Sequence, residues 1–184
     1  GHFVENHTNQ SVNEAITVYG TELKTNNTRL AKMNLAIHGI EGKIIEDNSF
    51  YSNPHNLTGK CDFVMANPPF NVKKIDKNKD FVKEDTRLPF GTPNNDNGNY
   101  MWIQYFHSYL NDNGRAGFVM ASSATDAGGS EKLIRQQLIE TGDVEAIVSV
   151  GNNFFYTRSL PCHVWFLNKN KKDKDSILMI DARN

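Results

Sequence analysis

Apolar positions along the chain fall into short runs of two kinds. Phe63 to Ala66, Gly117 to Met120, Val144 to Val150, Cys162 to Leu167 and Ile177 to Ile180 are nearly continuous apolar runs, which predicts strands, the first two of them buried. Ala15, Ile16, Val18 and Tyr19, and then Lys43 to Ile45, predict two further strands nearer the start. Three other sets recur at helical spacing: Leu30, Met33 and Ile37; Trp102, Ile103, Phe106, Tyr109 and Leu110; and Leu133, Ile134 and Leu138. Asn26 or Asn27 is expected to cap the first helix and Gly39 to end it, while Asn111 to Gly114 and Gly142 end the others. Strands alternating with helices predict an α/β fold: a mostly parallel sheet with helices on both faces. The last two strands, joined by the hydrophilic link Asn168 to Asp175, are expected to pair antiparallel.

One strand carries unusual chemistry at its end. The run from Cys61 to Ala66 stops at Asn67, Pro68, Pro69 and Phe70, where two prolines forbid further sheet pairing and Asn67 is held extended by the proline after it. An amide, a proline carbonyl and an aromatic ring therefore sit on a stiff loop past a strand's carboxyl end, the edge where open α/β sheets bind ligands. Two adjacent acceptors, the Asn67 side-chain oxygen and the Pro68 carbonyl, suit an amino group with two hydrogens to donate, such as the exocyclic amine of adenine. Holding both hydrogens favours a more tetrahedral nitrogen and aims its lone pair at an electrophile, while Phe70 can stack on the base. The plainer alternative is a surface turn begun by Asn-Pro.

Acidic residues also stand where two early strands end. Glu22 follows the first, a position at which nucleotide-binding α/β folds hold ribose hydroxyls, and Asp47 closes the second, where it can accept a bond from an adenine amine. A lone glutamate after a strand is more often just a solvated residue, and Asp47 is equally readable as a turn aspartate. The polar stretch 71–99 mixes lysines with acidic residues, a pattern more typical of a solvated face than of a phosphate-binding surface. Phe154, Phe155 and Tyr156 lie in a segment with neither helix nor strand period, so one of them can form the second face of a base sandwich or pack on the sheet edge.

Bulk properties narrow the class. The 184 residues are enough for one domain with a real core, and no apolar run approaches a membrane span. The two cysteines, Cys61 and Cys162, lie far apart, which favours reduced thiols and a cytoplasmic setting. No histidine or cysteine spacing suggests a metal site, so none is expected. A formal net charge of −1 is low for a nucleic-acid enzyme, and implies a local basic surface or a partner that supplies phosphate contacts.

Several tracts in order, YGTELKTNNTRLAKMNLAIHGI, ANPPF, NYMWIQYFHSYL, GRAGFVMAS and NNFFYTRSLPCHVWFLNKN, resemble the modification (HsdM) subunit of type I restriction–modification systems. That resemblance covers nearly the whole chain. It implies a Rossmann-like, S-adenosylmethionine-dependent methyltransferase fold and transfer of methyl to N6 of a flipped DNA adenine. It further implies DNA as substrate, and a specificity subunit and a restriction subunit as partners, with no membrane association. By the same resemblance, Asn67, Pro68, Pro69 and Phe70 form the catalytic loop and Glu22 holds the cofactor ribose. Asp47 lies near the cofactor adenine, Asn67 also borders the cofactor, and Phe155 opposes Phe70 across the base. The family's Gly-rich cofactor loop, first strand and N-terminal helical domain have no counterpart here, so residues 1–184 are expected to be part of a catalytic domain that binds cofactor poorly in isolation. The missing strand would lie centrally, between those ending at Glu22 and Asn67. Action on RNA or on a protein glutamine, and a non-catalytic assembly or DNA-binding role, are the competing readings.

Overall fold

The structure, a computed structural model, describes residues 11–94, 96–152, 155 and 159–183. It divides into two compact units, Gly1–Asn56 and Leu57–Asn184.

In the first unit Ser11 and Glu14 form a reciprocal capping box on the short helix α1 (Val12–Ala15). The residues expected to open a strand at Ala15 thus end a helical turn instead, and strand β1 is Val18–Glu22. Helix α2 (Thr25–Ile37) follows, and β2 (Gly42–Glu46) pairs parallel with β1 so that Glu22 stands opposite Glu46. The α2 helix starts earlier than the asparagines predicted: Lys24 is its N-cap residue, Asn26 and Asn27 lie within its first turn, and Thr25 Oγ1 donates to Glu46 Oε1 at 2.7 Å. Its C-terminus does turn at Gly39, whose φ of 64° is open to glycine and costly to other residues. The stripe Leu30, Met33, Ile37 faces outward, 57%, 55% and 74% exposed, whereas Thr28, Ala31 and Leu35 are the more covered residues. Leu35 reaches the strand at Gly42, where an added Cβ would fall 2.3 Å from its Cδ1.

The second unit is a five-stranded mixed sheet in the order β3-β4-β6-β5-β7. Its strands are β3 (Cys61–Ala66), β4 (Leu110–Ala121), β5 (Val144–Val150), β6 (Cys162–Asn168) and β7 (Leu178–Ala182). Its helices are α3 (Asp80–Lys83), α4 (Asn99–Tyr109) and α5 (Gly129–Glu140), with a 3-10 turn at Ser122–Ala124. β3 pairs parallel with β4, and β6 runs antiparallel between β4 and β5. The expected β6–β7 hairpin does not form. Both edges of β6 are already occupied, so β7 crosses over and pairs parallel with β5. Asn111 to Gly114, expected only to end a helix, are taken into β4, where the register against β3 slips between Cys61 and Phe63.

The core is the packing of α4 and α5 on this sheet. Tyr100, Ile103, Phe106, Ile134 and Leu138 meet Phe118, Met120, Val144, Trp165 and Leu167, all less than a tenth exposed. The aromatic stripe of α4 therefore packs inward, with the Phe106 and Phe118 rings 5.0 Å apart. Among the described residues β3 is paired on one side only, and its Phe63 and Met65 side chains are 75% and 89% exposed. No helix among the described residues is long and apolar enough to cross a membrane.

Candidate active site

Strand β3 delivers the loop in question. After Ala66 the chain leaves the sheet through exposed Asn67, buried Pro68, exposed Pro69 and half-buried Phe70. The Asn67 amide makes no hydrogen bond to any described residue, so its oxygen and its NH2 group are both available to a ligand. Pro68 contributes a carbonyl next to it and no N–H. The Phe70 ring meets Phe155 edge to face, with centroids 6.2 Å apart and planes at 68°. Of the three aromatics expected in that segment, Phe154 and Tyr156 lie outside the described residues.

The loop's far side is held by polar groups that pattern reading passed over. Asn71, directly after Phe70, is bound to Asn99 at the start of α4, and the Lys74 N–H donates to Asp96 Oδ1 at 2.7 Å. The polar stretch beyond is anchored too. Arg87 is fully buried: it forms a salt bridge of 2.7 Å with Asp85, donates to the Tyr109 hydroxyl at 2.8 Å and lies 4.1 Å from the Tyr105 ring centroid. Burial works against its charge, but the hydrogen bonds to Asp85 outweigh that and hold its pKa above the usual value. Charge pattern alone hid this residue. The clue was Val82 and Leu88, two apolar side chains inside a charged run, both buried. Lys77 is likewise committed, donating to the Pro93 carbonyl at 2.6 Å.

In the first unit the two early carboxylates stand where the sequence places them. Glu22 ends β1, and its Oε1 accepts from Asn27 Nδ2 at 3.2 Å and more loosely from the Lys24 N–H at 3.4 Å, leaving Oε2 without a partner among the described residues. Asn27, expected to serve the helix end, thus orients Glu22. Asp47 follows β2; its N–H donates to the Glu22 carbonyl at 3.0 Å and its Oδ1 accepts from the Asn48 N–H at 2.7 Å. Each carboxylate is oriented by one oxygen with the other spare, which fits acceptance of hydroxyl or amine hydrogens from a nucleoside.

A mixed sheet whose one antiparallel strand, β6, runs in the middle between β4 and β5, with helices packed on it, has the Rossmann-like fold of methyltransferases. The chain belongs to the N-6 DNA methylase family, whose match extends over residues 2–184. It is 41% identical over 180 residues to the type I restriction enzyme MjaIX methylase subunit of Methanocaldococcus jannaschii, covering 94% of this chain and 32% of that protein. It is 36% identical to the HindI methylase subunit of Haemophilus influenzae, over 91% of this chain and 38% of that one. The crystal structure of a type I restriction–modification methyltransferase subunit from Streptococcus thermophilus shares the fold, with a TM-score of 0.80 at 23% identity, covering 91% of this chain and 42% of that one. The chain thus spans about a third of the length of the curated relatives it matches.

Proposed function

We propose that the complete protein is the modification subunit of a type I restriction–modification system and methylates N6 of adenine in DNA. The observation that carries this reading is the Asn67 amide, exposed past β3 and unpartnered among the described residues, next to the Pro68 carbonyl. Bound S-adenosylmethionine supplies an electrophilic methyl group; the chain's part is to present the amine. Asn67 Oδ1 and the Pro68 carbonyl accept the two N6 hydrogens, drawing the nitrogen lone pair out of conjugation with the ring. Phe70 stacks on the base once it has left the duplex, and Phe155 covers its other face after the two rings part. Glu22 accepts the cofactor's ribose hydroxyls and Asp47 its adenine amine. A specificity subunit that reads the DNA sequence and a restriction subunit complete the assembly, and the near-neutral charge of this chain supports delegating most phosphate contacts to them.

The test is Asn67→Ala in the complete subunit with its specificity partner. Loss of an oriented polar group that acts on the reacting atoms lowers kcat by about 10²–10³-fold, while calorimetry finds S-adenosylmethionine binding retained. Unchanged turnover overturns the assignment. Parallel assays on duplex DNA, RNA and protein separate adenine methylation in DNA from the same chemistry on another planar amine or amide.

A further inference from the structure

Two residues just past Phe70 adopt backbone conformations that L side chains avoid. Asn71 has φ of 53° and Lys74 of 59°. Each is tied through its backbone N–H to a side-chain oxygen from the segment that opens α4: Asn71 to Asn99 Oδ1 at 2.9 Å and Lys74 to Asp96 Oδ1 at 2.7 Å. At Asn71 the tie is doubled, because Asn99 Nδ2 donates to Asn71 Oδ1 at 2.8 Å. The backbone N–H can only donate, so the Asn99 oxygen must face it. The Asn99 nitrogen then points at Asn71, which must answer with its oxygen. One arrangement satisfies the pair.

The anchor is rigid. Asn99 is 3% exposed, its own N–H donates to Asn97 Oδ1 at 3.1 Å, and the next residues of α4, Tyr100, Met101 and Ile103, are fully buried in the core. On the other side, Pro68 and Pro69 remove two soft φ angles between Asn67 and Phe70. A shift at Asn71 is therefore passed toward Phe70 and Asn67 instead of being absorbed.

We propose that Asn99 is a positioning residue for methyl transfer: by holding Asn71 in its left-handed conformation it sets the Phe70 ring and the Asn67 amide in register with the incoming amine. This rests on the reading of Asn67 to Phe70 as the amine-binding loop. Asn99 touches neither substrate nor cofactor; it acts through Asn71.

The experiment compares Asn99→Leu and Asn99→Asp in the complete subunit, assayed on duplex DNA. Leucine fills much the same space but neither accepts nor donates. Aspartate still accepts the Asn71 N–H, and the Asn71 amide can turn over to donate to it. Asn99→Leu is expected to lose on the order of 10²-fold in kcat, the effect of a displacement of about an ångström, with KM for DNA and cofactor affinity little changed; Asn99→Asp stays within a few-fold of the parent. Asn71→Gly, which tolerates the positive φ but removes one of the two bonds, gives a smaller kcat loss and serves where Asn99→Leu fails to fold.

A Leu variant as active as the parent, or a loss equal for Leu and Asp, overturns the proposal in favour of simple packing. Amide exchange at Asn71 distinguishes the two levels of the argument. An unprotected Asn71 N–H in the parent overturns the clamp whatever the activity. A protected one in a parent that methylates no adenine overturns the reading of the loop, and the positioning role with it.

Discussion

The ring of Phe70 meets the ring of Phe155 edge to face, centroids 6.2 Å apart and planes inclined by 68°. Each ring covers part of the other without a ligand, so a base entering between them must first part them and then replace their contact with two stacked ones. Stacking on an aromatic side chain contributes about 1–3 kcal/mol per base, and part of that offsets the lost pair. Phe70→Ala and Phe155→Ala are each expected to reduce kcat/KM on duplex DNA, and because the rings touch, the double variant should lose less than the sum of the two. Steady-state methylation by the complete subunit checks this; strictly additive losses would show that the rings act separately.

Arg87 predicts a stability effect far from the reacting groups. Its removal strands the Asp85 carboxylate, whose side chain is 3% exposed. Breaking a buried ion pair from one side costs about 3–5 kcal/mol, so Arg87→Leu should lower the urea midpoint sharply. Arg87→Lys should also destabilise, since an ammonium cannot reproduce the two-pronged contact with Asp85 or the flat packing on Tyr105. A lysine variant as stable as the parent would contradict this account.

Asp143 makes the fold sensitive to acid. Burial pushes its pKa up, yet hydrogen bonds from His107, Lys174 and Lys169 outweigh that and hold it well below the usual carboxylate value. A depressed folded-state pKa contributes stability that is complete above the unfolded value near pH ~4 and is lost as the pH falls through the folded one. Asp143→Asn should therefore cost about 1–3 kcal/mol at neutral pH, with the gap to the parent narrowing below pH ~4. Urea unfolding at the two pH values measures it, and a gap that widens in acid would contradict the sign.

Gly114 sits where β4 slips against β3. A Cβ there would fall 2.7 Å from the Cys61 carbonyl oxygen, a backbone atom that cannot swing aside. Gly114→Ala should destabilise by about 1–3 kcal/mol through that overpacking. Thermal unfolding of the variant tests it; an unshifted Tm would mean that the slipped register readily adjusts.

Local pattern was enough to read much of this chain. The runs at Cys61 to Ala66, Val144 to Val150 and Cys162 to Leu167 are strands because largely apolar, β-branched or aromatic stretches suit an extended backbone, although the first of them is not buried among the described residues. The two prolines after Asn67 end the first of these by their own covalent geometry. The order of quoted tracts carried the family likeness.

Contacts distant in sequence decided the rest. Leu30, Met33 and Ile37 have helical spacing, but spacing does not say which of two possible stripes meets the sheet, and in the described residues Thr28, Ala31 and Leu35 are the more covered. The partner of β7 depended on which strand still had a free edge, a property of the assembled sheet. Arg87 and Asn99 looked like solvated polar residues because the Tyr109 hydroxyl that accepts from Arg87 and the Asn71 groups that pair with Asn99 lie in distant stretches of the chain. Covalent geometry and periodicity act over a few residues and are written in the chain; the pairing of buried polar groups is settled only when folding brings remote segments within hydrogen-bond reach.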